Sequence, residues 1–151
     1  MTADDTTGFM DMAFAEAEAA AVRGEVPVGA VIVSQGAVIA RHGNRTRELS
    51  DPTAHAEILA IREACAALGS ERLPSCDLYV TLEPCAMCAA AISFARLRRL
   101  YFGAEDAKAG GVVHGPRFFA QPTCHHAPDV YSGIGEVRSA ELLREFFRNR
   151  R

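Results

Sequence analysis

The sequence predicts an α/β sandwich layered around one sheet, and two observations carry that reading. Stretches with the 3.6-residue periodicity of amphipathic helices alternate with short runs of β-branched and apolar residues, with turn and cap signals between them. No repeat, linker or low-complexity segment interrupts the 151 residues, a length that suits one domain.

The elements follow in order. Residues 1–8 are acidic and polar, and are expected to be a flexible N-terminus ahead of a single domain over residues 9–151. They lack the basic-then-apolar pattern of a signal peptide. Residues 9–23 read as an amphipathic helix with Phe9, Ala13, Phe14, Ala17 and Ala21 on one stripe and Gly24 as its stop. Residues 28–33 and 37–40 flank a Ser34-Gln35-Gly36 turn and predict a β-hairpin. Asp51-Pro52 has the form of an N-cap followed by proline at the first helical position, so a helix is expected over 53–68, ending at Gly69. Residues 77–82 form a short buried-type strand, Glu83-Pro84 opens a helix over 85–95, and 100–103 form another strand. Glycines and prolines punctuate residues 110–133 too heavily for an assignment, and 139–148 read as a closing helix with Leu142, Leu143, Phe146 and Phe147 on its apolar face.

Composition excludes several classes. Hydrophobic residues are 49% and charged residues 23%, which is ordinary for a globular chain and argues against disorder. No apolar run reaches the ~20 residues of a membrane span, so no membrane partner is expected and a cytoplasmic location is. Five cysteines, an odd number without an export signal, favour reduced thiols or a metal site over a disulfide framework. Cys65 falls in an Ala-rich helical stretch and reads as a small core residue. Charge is uneven: residues 1–95 carry 6 basic and 13 acidic side chains, residues 96–151 carry 10 and 6. Arg96, Arg98 and Arg99, and again Arg144, Arg148, Arg150 and Arg151, form clusters that suit phosphate or an ordinary solvated surface. His125-His126 offers the same two readings.

The chemistry concentrates in Thr53-Ala-His-Ala-Glu57 and Pro84-Cys-Ala-Met-Cys88, each expected at the first turn of a helix. Backbone N–H groups and the positive end of the dipole favour thiolate there. His55, Cys85 and Cys88 supply three ligands, which leaves a tetrahedral Zn2+ one corner for water, the arrangement of a catalytic site. Glu57 is the candidate general acid and base. Residues i and i+2 of a regular helix lie about 200° apart, so His55 and Glu57 share a site only near the helix tip. A Cys-x-x-Cys alone also fits a redox pair, and a His-x-Glu alone fits a packed helix face; together and in this order they match the zinc nucleobase-deaminase pattern.

At Glu25-Val-Pro-Val-Gly-Ala30, Asp51-Pro-Thr-Ala-His-Ala-Glu57, Leu78-Tyr-Val-Thr-Leu-Glu-Pro-Cys-Ala-Met-Cys88 and Phe102-Gly-Ala-Glu-Asp-Ala-Lys108 the sequence resembles the bacterial tRNA-specific adenosine deaminases of the cytidine-deaminase-like superfamily, over roughly residues 9–150. The resemblance implies a three-layer αβα sandwich around a five-stranded mixed sheet, one Zn2+ per subunit and a homodimer. It implies conversion of adenosine to inosine at the wobble position of a tRNA anticodon, typically of an arginine tRNA, by attack of zinc-bound hydroxide on C6 with Glu57 as proton shuttle. Asn44 matches a contact to the target nucleotide, Val26 and Val28 the wall of the base pocket, and Asp106 and Lys108 a loop near the anticodon. Residues 110–133 depart from the family pattern. Two other readings stay open: a deaminase of a free base or nucleoside (guanine, cytosine or adenosine), and a structural zinc or RNA-binding module without turnover. The last needs a fourth protein ligand, for which His42, His114 and Cys124 are candidates.

Overall fold

Side-chain alternation along three strands divides the interior into two cores, and the layers follow from that division. The computed structural model describes residues 3–150, with side chains from Thr6; Met1, Thr2 and Arg151 lie outside the described residues. Helix α1 (Ala3–Val22) leads into strands β1 (Gly29–Ser34) and β2 (Ala37–Gly43). Helix α2 (Ala56–Leu68), β3 (Cys76–Leu82), α3 (Ala86–Phe94) and β4 (Arg99–Ala104) follow, then a single 3-10 turn, β5 (Asp129–Tyr131) and α4 (Glu136–Arg148). The strands form one sheet in the order β2-β1-β3-β4-β5. β1 runs antiparallel to β2 and β3, while β3, β4 and β5 are mutually parallel, so the sheet is mixed as expected.

Successive side chains on a strand point to opposite faces. Ala30, Ile32, Leu78, Val80, Leu100 and Phe102 accordingly join Ala56, Ala60, Ala64, Ala89 and Ile92 of α2 and α3 in the larger core. Val31, Val33, Tyr79 and Tyr101 face the other way and pack with Met10, Ala13 and Phe14 of α1 and Leu142 of α4. The result is the three-layer αβα sandwich. β3, α3 and β4 form a parallel crossover unit, which places the start of α3 just beyond the carboxyl end of a central strand.

Several boundaries differ from the sequence reading. α1 begins at Ala3, so residues 3–8, expected as a flexible N-terminus, form its opening turns, while the rest of that segment lies outside the described residues. Ala20, not Ala21, completes its buried stripe. The hairpin loop has two residues, Gln35 and Gly36, both at positive φ, the backbone that matches strand twist in a tight hairpin. Cys65 packs at the margin of the larger core. In α4, Leu142 is packed but Phe147 is 52% exposed, so the expected apolar face is narrower. Ser139, fully covered, fastens α4 to the sheet by donating to the Thr81 carbonyl.

Candidate metal centre and active site

Two helix starts meet at one point. His55 is the N-cap of α2 and Cys85 the N-cap of α3, both with extended backbone and neither capped by its own side chain. Asp51 therefore does not cap α2. Its Oδ1 accepts the Thr53 N–H at 2.8 Å and the Thr53 hydroxyl at 2.7 Å, a local side-chain turn that competes with helix. The helix starts three residues later than Asp51-Pro52 suggested, and its first N–H, that of Ala56, donates to Oδ1 of Asn44 at 2.8 Å. This shift removes the angular conflict between His55 and Glu57. His55 sits outside the helix on extended backbone while Glu57 lies in the first turn, and both line one cavity of about 210 Å³.

The His55 Nδ1 lies 3.7 Å from the Cys85 Sγ and 3.6 Å from the Cys88 Sγ, and the three atoms are within 4.8 Å of one another. Bonds of ~2.0–2.3 Å at tetrahedral angles set nitrogen and sulfur ligands about 3.5 Å apart, so the donor set fits a zinc ion in both kind and spacing. Among the described residues this is the one such group. The candidate fourth ligands have other partners: His42 Nε2 meets Glu63 at 2.8 Å, His114 Nδ1 meets Glu83 at 2.9 Å, and the Cys124 thiol donates to the His126 carbonyl at 3.1 Å. A closed structural site finds no support in this arrangement.

The electrostatics are those of a charge held between competing groups. Cys85 takes the negative charge: the Cys88 thiol donates to it and outweighs partial burial, and together with His55 this lowers it to about 4. Cys88 is pushed the other way, first because it is the donor to Cys85 and then by burial. His55 is raised, mainly by its hydrogen bond to Cys85. Glu57, 4% exposed, is raised because burial disfavours its carboxylate more than its neighbours support it.

Of the other expected site residues, Val26, Val28, Asn44 and Asp106 also line the cavity. Lys108 does not; it is exposed, and its backbone N–H donates to Asp106 Oδ1. Cys88 lies buried behind the lining. Thr46, Leu82, Glu83 and Ala109 are lining residues that sequence reasoning missed. Among the basic clusters, Arg98 is committed to buried Asp77 through two hydrogen bonds, and Arg150 lies 4.6 Å over the Phe146 ring. His126 is half-buried with its ring on the Leu97 carbonyl, so His125 and His126 are not an exposed pair.

Two further carboxylates shape the walls. Glu25 accepts from the Thr46 hydroxyl and the Arg47 and Glu48 N–H groups. Burial alone would raise it, but these donors and nearby Arg23 hold it below the ordinary carboxylate range. Glu83 behaves alike: burial opposes its charge, and N–H donors from residues 106–114 with the His114 ring outweigh it.

The model of the cytidine and deoxycytidylate deaminase zinc-binding region matches residues 3–104. A tRNA-specific adenosine deaminase of Agrobacterium fabrum is 69% identical over 147 residues, covering 97% of each chain. One from Rickettsia bellii is 48% identical, covering 92% of this chain and 97% of that one. A solved structure from work on A-to-I editing by tRNA:A34 deaminases at the wobble position is 70% identical, with a TM-score of 0.90 over 91% of this chain and 99% of that chain. A guanine deaminase structure from Bacillus subtilis is 34% identical, with a TM-score of 0.67 over 99% and 95%.

Proposed function

The chain belongs to the tRNA-specific adenosine deaminases, zinc-dependent hydrolases within the cytidine and deoxycytidylate deaminase zinc-binding family, and from that premise we propose that it converts adenosine to inosine at the wobble position of a tRNA. The observation that carries the hydrolytic reading is the His55, Cys85 and Cys88 donor set beside a buried Glu57, with His55, Cys85 and Glu57 lining one cavity.

In this reading His55, Cys85 and Cys88 hold the zinc. When bound, zinc lowers the pKa of water to about 7 and so supplies a nucleophile for C6 at neutral pH. Glu57 takes the proton of the attacking water, delivers it to N1, and moves the second proton to the leaving amino group, so water and adenosine leave as ammonia and inosine. Its raised proton affinity suits both directions of that transfer. Asn44 spends its carbonyl oxygen on Ala56, which leaves its amide N–H groups to meet the nucleotide. Val26 and Val28 supply apolar walls for the base, and Asp106 stands at the rim. The cavity is smaller than the ~300–1,000 Å³ typical of sites for drug-sized ligands, which suits one base splayed out of an anticodon loop. Lys108 and the remaining arginines serve the backbone phosphates around it.

An arginine tRNA is the proposed substrate, the cytoplasm the proposed location and a homodimer the proposed assembly, in a single domain. No helix among the described residues is long and apolar enough to cross a membrane. The homodimer is supported by an apolar strip on the outer face of α2 and α3, where Phe94 is 74% exposed beside Ile58 and Ile61.

The Bacillus subtilis similarity favours one second reading, deamination of free guanine by the same machinery. Incubation with total tRNA, followed by sequencing for adenosine-to-inosine changes, is expected to show a single wobble-position change. Turnover of free guanine or nucleosides without any change in tRNA would reject the tRNA reading and favour the second.

A further inference from the structure

Glu83 is buried to the limit, lies two residues from the candidate metal site, and takes no part in the proton transfers above. A carboxylate without access to water needs partners, and every partner of this one comes from a single loop. Oε1 accepts the Asp106 N–H at 2.9 Å and lies 2.9 Å from the His114 Nδ1. Oε2 accepts the N–H groups of Val112, Val113 and His114 at 3.1, 3.0 and 3.2 Å. The carboxylate offers only lone pairs, so the ring proton of His114 sits on Nδ1. The other ring nitrogen lies 3.6 Å from the exposed Glu105.

One side chain thus ties both ends of residues 106–114 to a central strand. Between those ends the loop presses on the start of α3: Gly110 bridges Cys85, and the Gly111 N–H donates to the Pro84 carbonyl. A Cβ at Gly110 would lie 2.3 Å from Glu83 Oε2, and one at Gly111 would lie 2.5 Å from the Ala86 nitrogen. No side chain fits between loop and carboxylate. The same loop carries Asp106 and Ala109 into the cavity wall.

We propose that Glu83 and His114 are positioning residues, a clamp that fixes residues 106–114 as one wall of the nucleotide seat and so sets affinity for the substrate. This rests on the reading of the cavity as the substrate site. The clamp acts on the wall and leaves the groups that move protons in place, so its loss shows in KM ahead of kcat.

Removing the fully buried Glu83 endangers folding, so the test uses His114 in the zinc-loaded full chain. His114→Ala deletes the ring donor; His114→Asn returns an amide N–H near the Nδ1 position. Steady-state deamination of an anticodon stem-loop RNA is read beside amide hydrogen exchange of Val112 and Val113. His114→Ala is expected to raise KM about tenfold, the order of one hydrogen bond to a charged group, with kcat little changed. Exchange at Val112 and Val113 accelerates, and His114→Asn restores both readouts. Unchanged exchange in His114→Ala, or a fall in kcat at wild-type KM, would overturn the clamp. If the wild-type protein leaves the RNA untouched, the functional reading fails by itself, and exchange still decides whether His114 holds the loop.

Discussion

Three buried glutamates at and around the cavity have their proton affinities moved in different directions. Glu57 and Glu83, which line the cavity, and Glu25, which holds the loop that carries Thr46, are each at most 4% exposed. Burial works against charge in all three, yet only Glu57 has its proton affinity raised. The difference lies in the donors. Glu25 and Glu83 are surrounded by loop N–H groups, which stabilise the ionised form, whereas Glu57 faces His55 and two sulfurs. Burial by itself does not make a carboxyl a proton carrier; burial with too few donors does.

The largest effect expected from breaking this contrast comes from the metal site. Removing the metal with a chelator, or replacing His55 by Ala, is expected to abolish turnover, measured as inosine formed and zinc retained. Stripped of metal, the protein is expected to be alkylated at Cys85 near pH 6 ahead of Cys88, because only Cys85 carries a lowered thiol. Peptide mapping with Cys88 labelled first would contradict that assignment of charge. Next in size, Glu57→Gln is expected to keep its zinc and lose about 10²–10⁴-fold in kcat, the range of general acid–base catalysis. Turnover near wild type in that variant would refute the role given to Glu57.

The smallest effect sharpens the side of Glu25. Glu25→Gln leaves N–H donors of residues 47 and 48 facing an amide, a loss of about 1–3 kcal/mol at neutral pH. The folded-state proton affinity of Glu25 lies below its ordinary value of 4.5. Its contribution is therefore full above about 4.5 and fades as pH falls through the lower folded value. Urea unfolding at pH 7 and again near pH 3 is expected to show a smaller deficit of the variant at the lower pH. An equal deficit at both would mean that packing, not charge, is what Glu25 supplies.

These distinctions also mark what a reader of the sequence can reach. The donor set was legible because metal ligation depends on side-chain identity, and His55, Cys85 and Cys88 announce theirs. The helix start was misplaced because Asp51 satisfies its own local turn, a choice that Asp-Pro leaves open. Strand β5 was implied by resemblance alone: its three residues are all exposed, so no hydropathy pattern marks them. Glu25 and Glu83 were the least legible. Most of their partners are backbone N–H groups 22 to 31 residues away, and a backbone donor has no letter in the sequence. Any buried acid stabilised in that way reads as surface charge until the chain is folded.

Both cysteine- and histidine-bearing helix starts lack a side chain of their own to cap them, and they lie thirty residues apart. An ion bound there acts as a cross-link between two otherwise separate segments, so folding and metal loading are one equilibrium. The temperature at which this enzyme melts should then rise with the free zinc around it, which would make its lifetime in the cell a readout of metal supply.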